Sequence, residues 1–193
     1  MTVANRLNLG CGRFPLEGWI NLDLKKGRGI DLEFDLDRCV EMPLPFENSS
    51  ISEFKMEHVL EHIKDTLPLM QELHRVATPE ASLTIRLPYG TSDDAWEDPT
   101  HVRPYYLGSF GYFSQPYYWR ADYGYLGDWR TEKITLFISQ AEHGQLTQAE
   151  LFHRIRHYRN VVREMHVELR AVKPIRPPEK ELQTQATVEV HWI

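Results

Sequence analysis

Two glycines and an aspartate near the start of the sequence have the types and spacing of a nucleotide pocket. Gly10 and Gly12 follow a short apolar run, and neither carries a Cβ that would keep a ligand away from the backbone N–H groups. Asp23 ends the next apolar run, where its carboxylate could accept hydrogen bonds from a ribose diol. We therefore predict a nucleoside pocket between the ends of two neighbouring strands.

A second group of reactive side chains lies in the middle of the sequence. His58, Glu61 and His62 spell H-x-x-E-H, the inverted zinc-peptidase signature. Such a site also needs a third protein ligand and a position for water. The same letters fit a strand-to-helix junction in which Glu61 and His62 are solvated or act as caps. We expect no metal site and keep the zinc peptidase as an alternative.

His101 and Arg103 stand in the loop segment DPTHVR, residues 98–103. Imidazole exchanges a proton near neutral pH, so His101 and His58 are the candidate general bases. Arg103 could orient an anionic or carbonyl-bearing substrate through its planar guanidinium. Structural roles stay open for all three, because half-buried histidines and surface arginine pairs are common.

Short apolar runs, separated by helical or loop segments, would position these residues. The periodicity predicts helices over 59–77 and 147–162, with Pro68 favouring a break in the first, and strands over 6–9, 19–24, 30–34, 51–56, 82–87, 131–139 and 186–193. Residues 165–173 fit either a strand or a continued helix. Strands alternating with helices or loops predict a mostly parallel sheet with binding residues at the carboxyl ends of the strands.

Eleven aromatic residues crowd into residues 105–129 among glycines, in a stretch too broken for one regular element. Three interpretations stay open: a lid that presents flat apolar walls to a substrate, core beneath a long loop, or a homodimer contact.

Composition limits the class of protein. A chain of 193 residues, 41% of them apolar, can bury one substantial core, so we expect a single domain over 1–193, with 98–130 as a substrate lid and 174–193 as a C-terminal extension. The net charge of −6 argues against nucleic acid as a partner. With two cysteines, no leader-like N-terminus and no long apolar run, we expect a cytoplasmic protein that has no membrane partner.

The order of these segments resembles that of the class I S-adenosylmethionine-dependent methyltransferases, in particular their small, type-11-like members. The resemblance covers about the first 105 residues and is carried by LNLGCG (7–12), INLDL (20–24), PLPFENSSISEF (43–54), EHVLEHI (57–63), ELHRVATPEASLTIRLP (72–88) and DPTHVR (98–103). It implies S-adenosyl-L-methionine as the cofactor and methyl transfer as the reaction. The acceptor is not identified, and the lack of a large recognition domain favours a small molecule or a sugar-like group.

The resemblance also assigns roles to particular residues. Residues 9–12 (Leu9, Gly10, Cys11, Gly12) would line the amino-acid end of the cofactor, and Asp23 with Leu24 would hold its ribose. Asp35 and Leu36 would flank the adenine, and Glu57 with His58 would close the pocket. The implied fold is a Rossmann-like, doubly wound, mostly parallel seven-stranded sheet with one antiparallel strand, which favours a strand at 165–173.

The sequence departs from the family pattern at two points. Asn8 stands where the first motif usually has an acidic residue, and Phe14 replaces its third glycine. Only nine residues, 10–18, join the first two strands, whereas a parallel crossover usually needs a dozen or more. We therefore predict a shortened first crossover and a pocket that is more open on that side.

Two other classes of protein are weighed against the enzyme. A methyltransferase-like module without catalysis would be favoured by a first loop collapsed around Phe14. A Rossmann dehydrogenase is disfavoured, because Pro15 occupies the place of the last glycine in G-x-G-x-x-G.

Overall fold

An eight-stranded sheet forms the centre of the computed structural model, which describes residues 5–193. The strands are β1 (Asn5–Leu9), β2 (Ile20–Asp23), β3 (Leu32–Glu33), β4 (Ile51–Glu57), β5 (Ala77–Pro88), β6 (Trp129–Ile138), β7 (Val162–Ala171) and β8 (Thr187–Trp192). The helices are α1 (Thr66–Val76), α2 (Asp94–Glu97), α3 (Gln140–His143) and α4 (Gln148–His157), with 3-10 turns at Leu36–Val40, Leu60–His62, Ser109–Phe113, Gln115–Trp119 and Lys180–Leu182. Residues 1–4 lie outside the described range. They belong to the predicted domain and to the N-terminus that we expect to lack a leader.

The strand order is β3-β2-β1-β4-β5-β7-β6-β8. Every neighbouring pair is parallel except those of β7, which runs antiparallel to both β5 and β6. The mostly parallel α/β sheet with one antiparallel strand is confirmed. The sheet has one strand more than the seven that the resemblance implies, because the strand predicted over 186–193 is present as β8 and pairs in parallel with β6.

The first predicted helix is shorter than expected. Helix α1 begins at Thr66 instead of at residue 59, and the residues before it form a separate 3-10 turn. Pro68 explains the late start, because its ring would clash with the carbonyl four residues earlier in any longer helix. In the first turn its missing N–H has no intrahelical partner to lose, so the expected break within α1 is absent.

The second predicted helix also ends early. Thr147 and Glu150 form a reciprocal capping box at the start of α4, which ends at His157. Asn160 has a φ of 59°, a left-handed conformation that does not continue a helix. Residues from Val162 onward then form β7, which resolves the ambiguity at 165–173 in favour of a strand.

The core lies along the sheet and against α1. The inward residues of β1 and β4, such as Leu7, Leu9 and Phe54, are fully buried, as are Leu69 and Leu73 of α1. None of the helices described within residues 5–193 has the length and apolar character needed to cross a bilayer.

Candidate active site

The loop after β1 is a tight turn that requires glycine twice. Gly10 has a φ of 60° and Gly12 a φ of 54°. A Cβ on Gly10 would overlap the side chain of Val59, which follows the end of β4, whereas a Cβ on Gly12 would meet nothing within 4 Å. Gly10 is therefore needed for packing between two strand ends, and Gly12 faces open space.

Asp23 at the end of β2 is held by the same loop. Its Oδ2 accepts a 2.7 Å hydrogen bond from the Gly12 N–H, and its Oδ1 accepts one of 3.3 Å from the Lys25 N–H. A carboxylate has about four lone-pair directions, so roughly two remain for a diol. The Gly12 N–H, predicted to face a ligand, is instead directed to Asp23 and orients its carboxylate.

A buried amide pair replaces the helix of an ordinary crossover. Asn8 donates from Nδ2 to Oδ1 of Asn21 at 3.0 Å and to the Phe14 carbonyl at 3.3 Å. Asn21 in turn accepts from the Leu16 N–H at 2.7 Å and donates to the Leu16 carbonyl at 3.0 Å. Residues 10–19 contain no helix, as the shortened crossover predicts.

Phe14 does not fill the pocket. Its side chain is 81% exposed, so the first loop is not collapsed around it. The observation that would have favoured a non-catalytic module is therefore absent.

Leu9 and Cys11, the residues predicted to line the cofactor beside Gly10, are both buried. Burial raises the pKa of the Cys11 thiol, and the negative charge of Asp23 adds to the effect.

The predicted adenine side is built from the ends of β2 and β3. Leu24 is 56% exposed, whereas Leu36 lies in the core. Asp35 caps the following 3-10 turn through a 3.1 Å hydrogen bond from the Asp37 N–H. Asp37 then accepts from the Lys64 N–H at 2.8 Å, which connects this side of the cleft to the segment after β4.

His58 follows β4 with a φ of 52° and lies between two carboxylates. Its Nδ1 is 3.5 Å from Oε1 of Glu61, and its Nε2 is 3.5 Å from Oε1 of Glu164. Glu61 raises the pKa of the His58 imidazole, Glu164 adds to the effect, and partial burial opposes it. Glu57 beside it is exposed and forms a 3.2 Å ion pair with Lys55.

Glu61 of the H-x-x-E-H motif does not have the solvated or capping position that we predicted for it. Glu61 is only 2% exposed, so the interpretation of a solvated or capping Glu61 is wrong. Its carboxylate lies with His62 and His101, and their donor atoms are within 4.8 Å of one another. The predicted base His101 is therefore packed beside His62, with ring centroids 4.7 Å apart.

Arg103 borders a cavity of about 670 Å³ beyond the end of β4. Its guanidinium donates to the Lys64 carbonyl at 2.9 Å and to the Thr66 hydroxyl at 3.2 Å. Six tyrosines of the aromatic segment line the cavity: Tyr105, Tyr106, Tyr112, Tyr117, Tyr118 and Tyr123. Neither the glycine turn nor Asp23 lines this cavity, so the predicted cofactor residues and the cavity do not form one pocket.

The aromatic segment contributes buried residues to the core, as one of the three interpretations predicts. Tyr105, Phe110 and Trp129 are buried in the core, and Trp129 donates from its indole to the Met70 carbonyl at 2.9 Å. The Tyr105 hydroxyl donates to the Leu60 carbonyl at 3.3 Å, which connects the cavity wall to the end of β4. The segment also lines the cavity, and the substrate lid and the homodimer contact both stay predictions.

Solved structures of other proteins share this architecture. A SAM-dependent methyltransferase from Archaeoglobus fulgidus superimposes with a TM-score of 0.62 over 88% of this chain and 87% of that chain, at 16% sequence identity. The chain has the S-adenosylmethionine-dependent methyltransferase fold. No protein-family model and no curated protein matches the sequence.

Two further structures with this methyltransferase fold are similar over most of their length. A possible histamine N-methyltransferase from Thermotoga maritima gives a TM-score of 0.55 at 12% identity, covering 89% of this chain and 84% of that chain. A methyltransferase from Mesorhizobium loti gives 0.53 at 16% identity, covering 88% and 93%. The resemblance seen in the sequence is thus confirmed at the level of the fold.

The sequence reasoning missed several residues that organise this methyltransferase-fold site. Asn21 and Thr100 lie in the INLDL and DPTHVR segments, but neither was given a role, and only their hydrogen bonds show that they orient Asn8 and His62. The placement of His101 beside Glu61 was also missed, although the neighbouring DPTHVR and EHVLEHI segments were each singled out.

Proposed function

We propose that the protein binds S-adenosyl-L-methionine at the carboxyl ends of β1, β2 and β4 and transfers its methyl group to a small-molecule acceptor. The main support for this proposal is the Asp23 carboxylate. The Gly12 N–H orients this carboxylate, which keeps lone pairs that can accept hydrogen bonds from a ribose diol. The sheet order reverses between β1 and β4, and ligands of open α/β sheets bind at such a switch point. Gly10 and Val59 meet at that point.

The cofactor's role limits what the protein must do. S-adenosyl-L-methionine would supply a methyl group already activated on a sulfonium. The residues of the chain then have to align an acceptor and exclude water, and positioning of that kind can supply about 7–11 kcal/mol. Asp23 and Leu24 would hold the ribose, Asp35 the adenine side, and Glu57 with His58 the wall at β4.

The tyrosine-lined cavity is the proposed acceptor site. Its volume of about 670 Å³ lies within the usual range for small-molecule pockets. Flat tyrosine faces suit an aromatic or sugar-like acceptor, and Arg103 at the border would orient an anionic or carbonyl group. His58 is the more exposed of the two candidate bases, whereas His101 is largely buried. Cys11 and Cys39 are both unpaired, which fits the expected cytoplasmic location.

Calorimetric titration with S-adenosyl-L-methionine and its demethylated product tests the cofactor site. We expect Asp23→Asn to weaken binding at least about tenfold, because one charged acceptor of the diol is lost. Glu33→Gln is the matched control, since Glu33 is an exposed acid at the end of the neighbouring strand β3 and should bind like the wild type. At a ligand concentration of about 100 times Kd, the wild type should gain about 2.7 kcal/mol of stability. No binding by the wild type, or equal binding by Asp23→Asn, would overturn the proposal.

Transfer of a tritiated methyl group to panels of small molecules, RNA and protein tests the acceptor. We expect label in small molecules, and a loss of that transfer in Tyr112→Ala. Tyr158→Ala, at an exposed tyrosine after α4, is the control. Label that enters only RNA or protein would overturn the small-molecule assignment while leaving the cofactor site standing.

A further inference from the structure

Glu61 is a buried carboxylate without a hydrogen-bond partner. It is 2% exposed, and neither Oε1 nor Oε2 has a partner among the described residues 5–193. The nearest histidine nitrogen, Nδ1 of His58, is 3.5 Å away, beyond a good hydrogen bond. A protonated His58 compensates the Glu61 charge only at this long distance, so the buried carboxylate still has room for a second, closer cation.

His62 is held with one ring nitrogen free. Its Nδ1 is 2.9 Å from the Thr100 hydroxyl, and that hydroxyl donates its hydrogen to Asp98 at 2.6 Å. The Thr100 oxygen can therefore only accept from His62, which assigns the proton to Nδ1 and leaves a lone pair on Nε2. A carboxylate that fixes a histidine tautomer in this way is typical of the residues behind a metal ligand.

A backbone carbonyl orients the His101 ring so that, as in His62, Nδ1 carries the proton. Its Nδ1 lies 3.3 Å from the Ala95 carbonyl, which can only accept, so Nε2 again keeps its lone pair. The two rings pack edge to face with centroids 4.7 Å apart. The Val102 N–H donates to the Glu61 carbonyl at 2.8 Å and brings the 98–103 segment against the turn after β4.

We infer that Glu61, His62 and His101 bind one divalent transition-metal ion. One donor atom from each residue lies within 4.8 Å of the other two, and on binding the side chains would close to the edge of about 3.3 Å expected for ligands 2.0–2.1 Å from zinc. Two imidazoles and one carboxylate favour zinc or a similar ion over magnesium or calcium, which prefer oxygen ligands. This inference replaces the expectation from the sequence of no metal site.

The loop that supplies His101 to the proposed ion also borders the tyrosine-lined cavity. Three protein ligands leave at least one coordination position open, as in catalytic zinc sites. Arg103, two residues after His101, borders the tyrosine-lined cavity. The inference does not depend on cofactor binding, because the metal can be measured on the protein alone.

Zinc titration of the chelator-treated full chain tests the inference. His153 and His157 lie one turn apart on the exposed face of α4, with ring centroids 4.5 Å apart, and can themselves bind zinc. The titrations are therefore made in a His153→Ala background, with bound zinc counted after gel filtration and the Co²⁺ form followed by its visible spectrum. We expect one zinc ion per chain.

Four variants distinguish a metal site at Glu61, His62 and His101 from one formed by the H-x-x-E-H motif. His101→Ala and Glu61→Gln should each weaken binding at least about 100-fold, and Thr100→Val about 10- to 100-fold, because removal of the group behind a ligand has effects of that size. His58→Ala should bind as the background does, although His58 belongs to the H-x-x-E-H motif. Thr100→Val replaces no proposed ligand and removes only the hydroxyl that orients His62, so it keeps the test valid if a ligand variant fails to fold.

Two results would overturn the inference. One is loss of zinc in His58→Ala with normal binding in His101→Ala, which would assign the site to the sequence motif. The other is the absence of a stoichiometric ion in the background protein, or equal binding in all the variants.

Discussion

The Gly12 N–H and the Asp23 carboxylate are joined by a 2.7 Å hydrogen bond across the ends of β1 and β2. Each residue thereby constrains the other: the left-handed turn at Gly12 aims the N–H, and the N–H orients the acid. Because Gly12 faces open space while Gly10 packs on Val59, the two glycines should respond differently to the same substitution.

Alanine at these glycines should separate backbone strain from packing. Gly12→Ala is expected to cost about 1–2 kcal/mol, the strain of a left-handed residue with a Cβ. Gly10→Ala should cost a further 1–3 kcal/mol or so, because its methyl group overlaps the Val59 side chain. Urea denaturation measures both. Adding Val59→Ala to Gly10→Ala should recover part of the loss, and a double variant no more stable than Gly10→Ala alone would contradict the proposed clash.

Restoring the family's acidic residue at position 8 should destabilise this chain. Asn8 donates to two acceptors, the Asn21 side chain and the Phe14 carbonyl, and a carboxylate has no hydrogen to give. We expect Asn8→Asp to lower the free energy of unfolding by about 1–3 kcal/mol. Asn5→Asp at the exposed start of β1 is the control and should stay within about 0.5 kcal/mol of the wild type. Equal stability of the two variants would show that the amide pair does not hold the crossover.

A buried ion pair connects the aromatic segment to the C-terminal extension. Asp128 is fully buried, and both of its oxygens bind the Arg176 guanidinium at 2.8 Å. Asp128→Asn should cost about 3–5 kcal/mol, because it leaves the arginine charge uncompensated.

The exposed ion pair between Arg6 and Glu53 provides the comparison. Its atoms are 3.1 Å apart at the surface, so Glu53→Gln should cost less than about 1 kcal/mol. Chemical denaturation of both variants measures the contrast, and a cost for Asp128→Asn as small as that for Glu53→Gln would contradict it.

His74 should make stability depend on pH. Burial lowers the pKa of His74, and its hydrogen bond to the Val172 carbonyl opposes the shift only in part. Below the ordinary value of 6.5 the unfolded chain therefore binds a proton that the folded chain does not, and stability falls as the pH drops.

Replacing His74 should flatten this dependence. One such proton contributes at most about 1.4 kcal/mol per pH unit, so His74→Gln should show a shallower loss between pH 7 and 5 than the wild type. His153→Gln, on the exposed face of α4, controls for the loss of one histidine. Identical slopes for wild type and His74→Gln would contradict the buried neutral form.

Local sequence patterns predicted most of the strands and the candidate cofactor residues, because each of these features depends on residues within one short segment. The runs ending at Leu9 and Asp23 carry their own alternation and turn residues, and both are strands in the structure. Helix bounds were less accurate. The start of α1 depends on the clash of Pro68, and α4 ends where the backbone of Tyr158 becomes extended, neither of which changes the apolar spacing.

The sequence by itself determined the order of strands and helices, the glycine turn and the acid at the end of β2, since each depends on residues close together in the chain. Only the tertiary structure decided that Glu61 is buried and that His101, from a loop distant in the sequence, lies near it. Those contacts form when the loop after β5 packs on the turn after β4, and such long-range packing has no periodic signal in either segment.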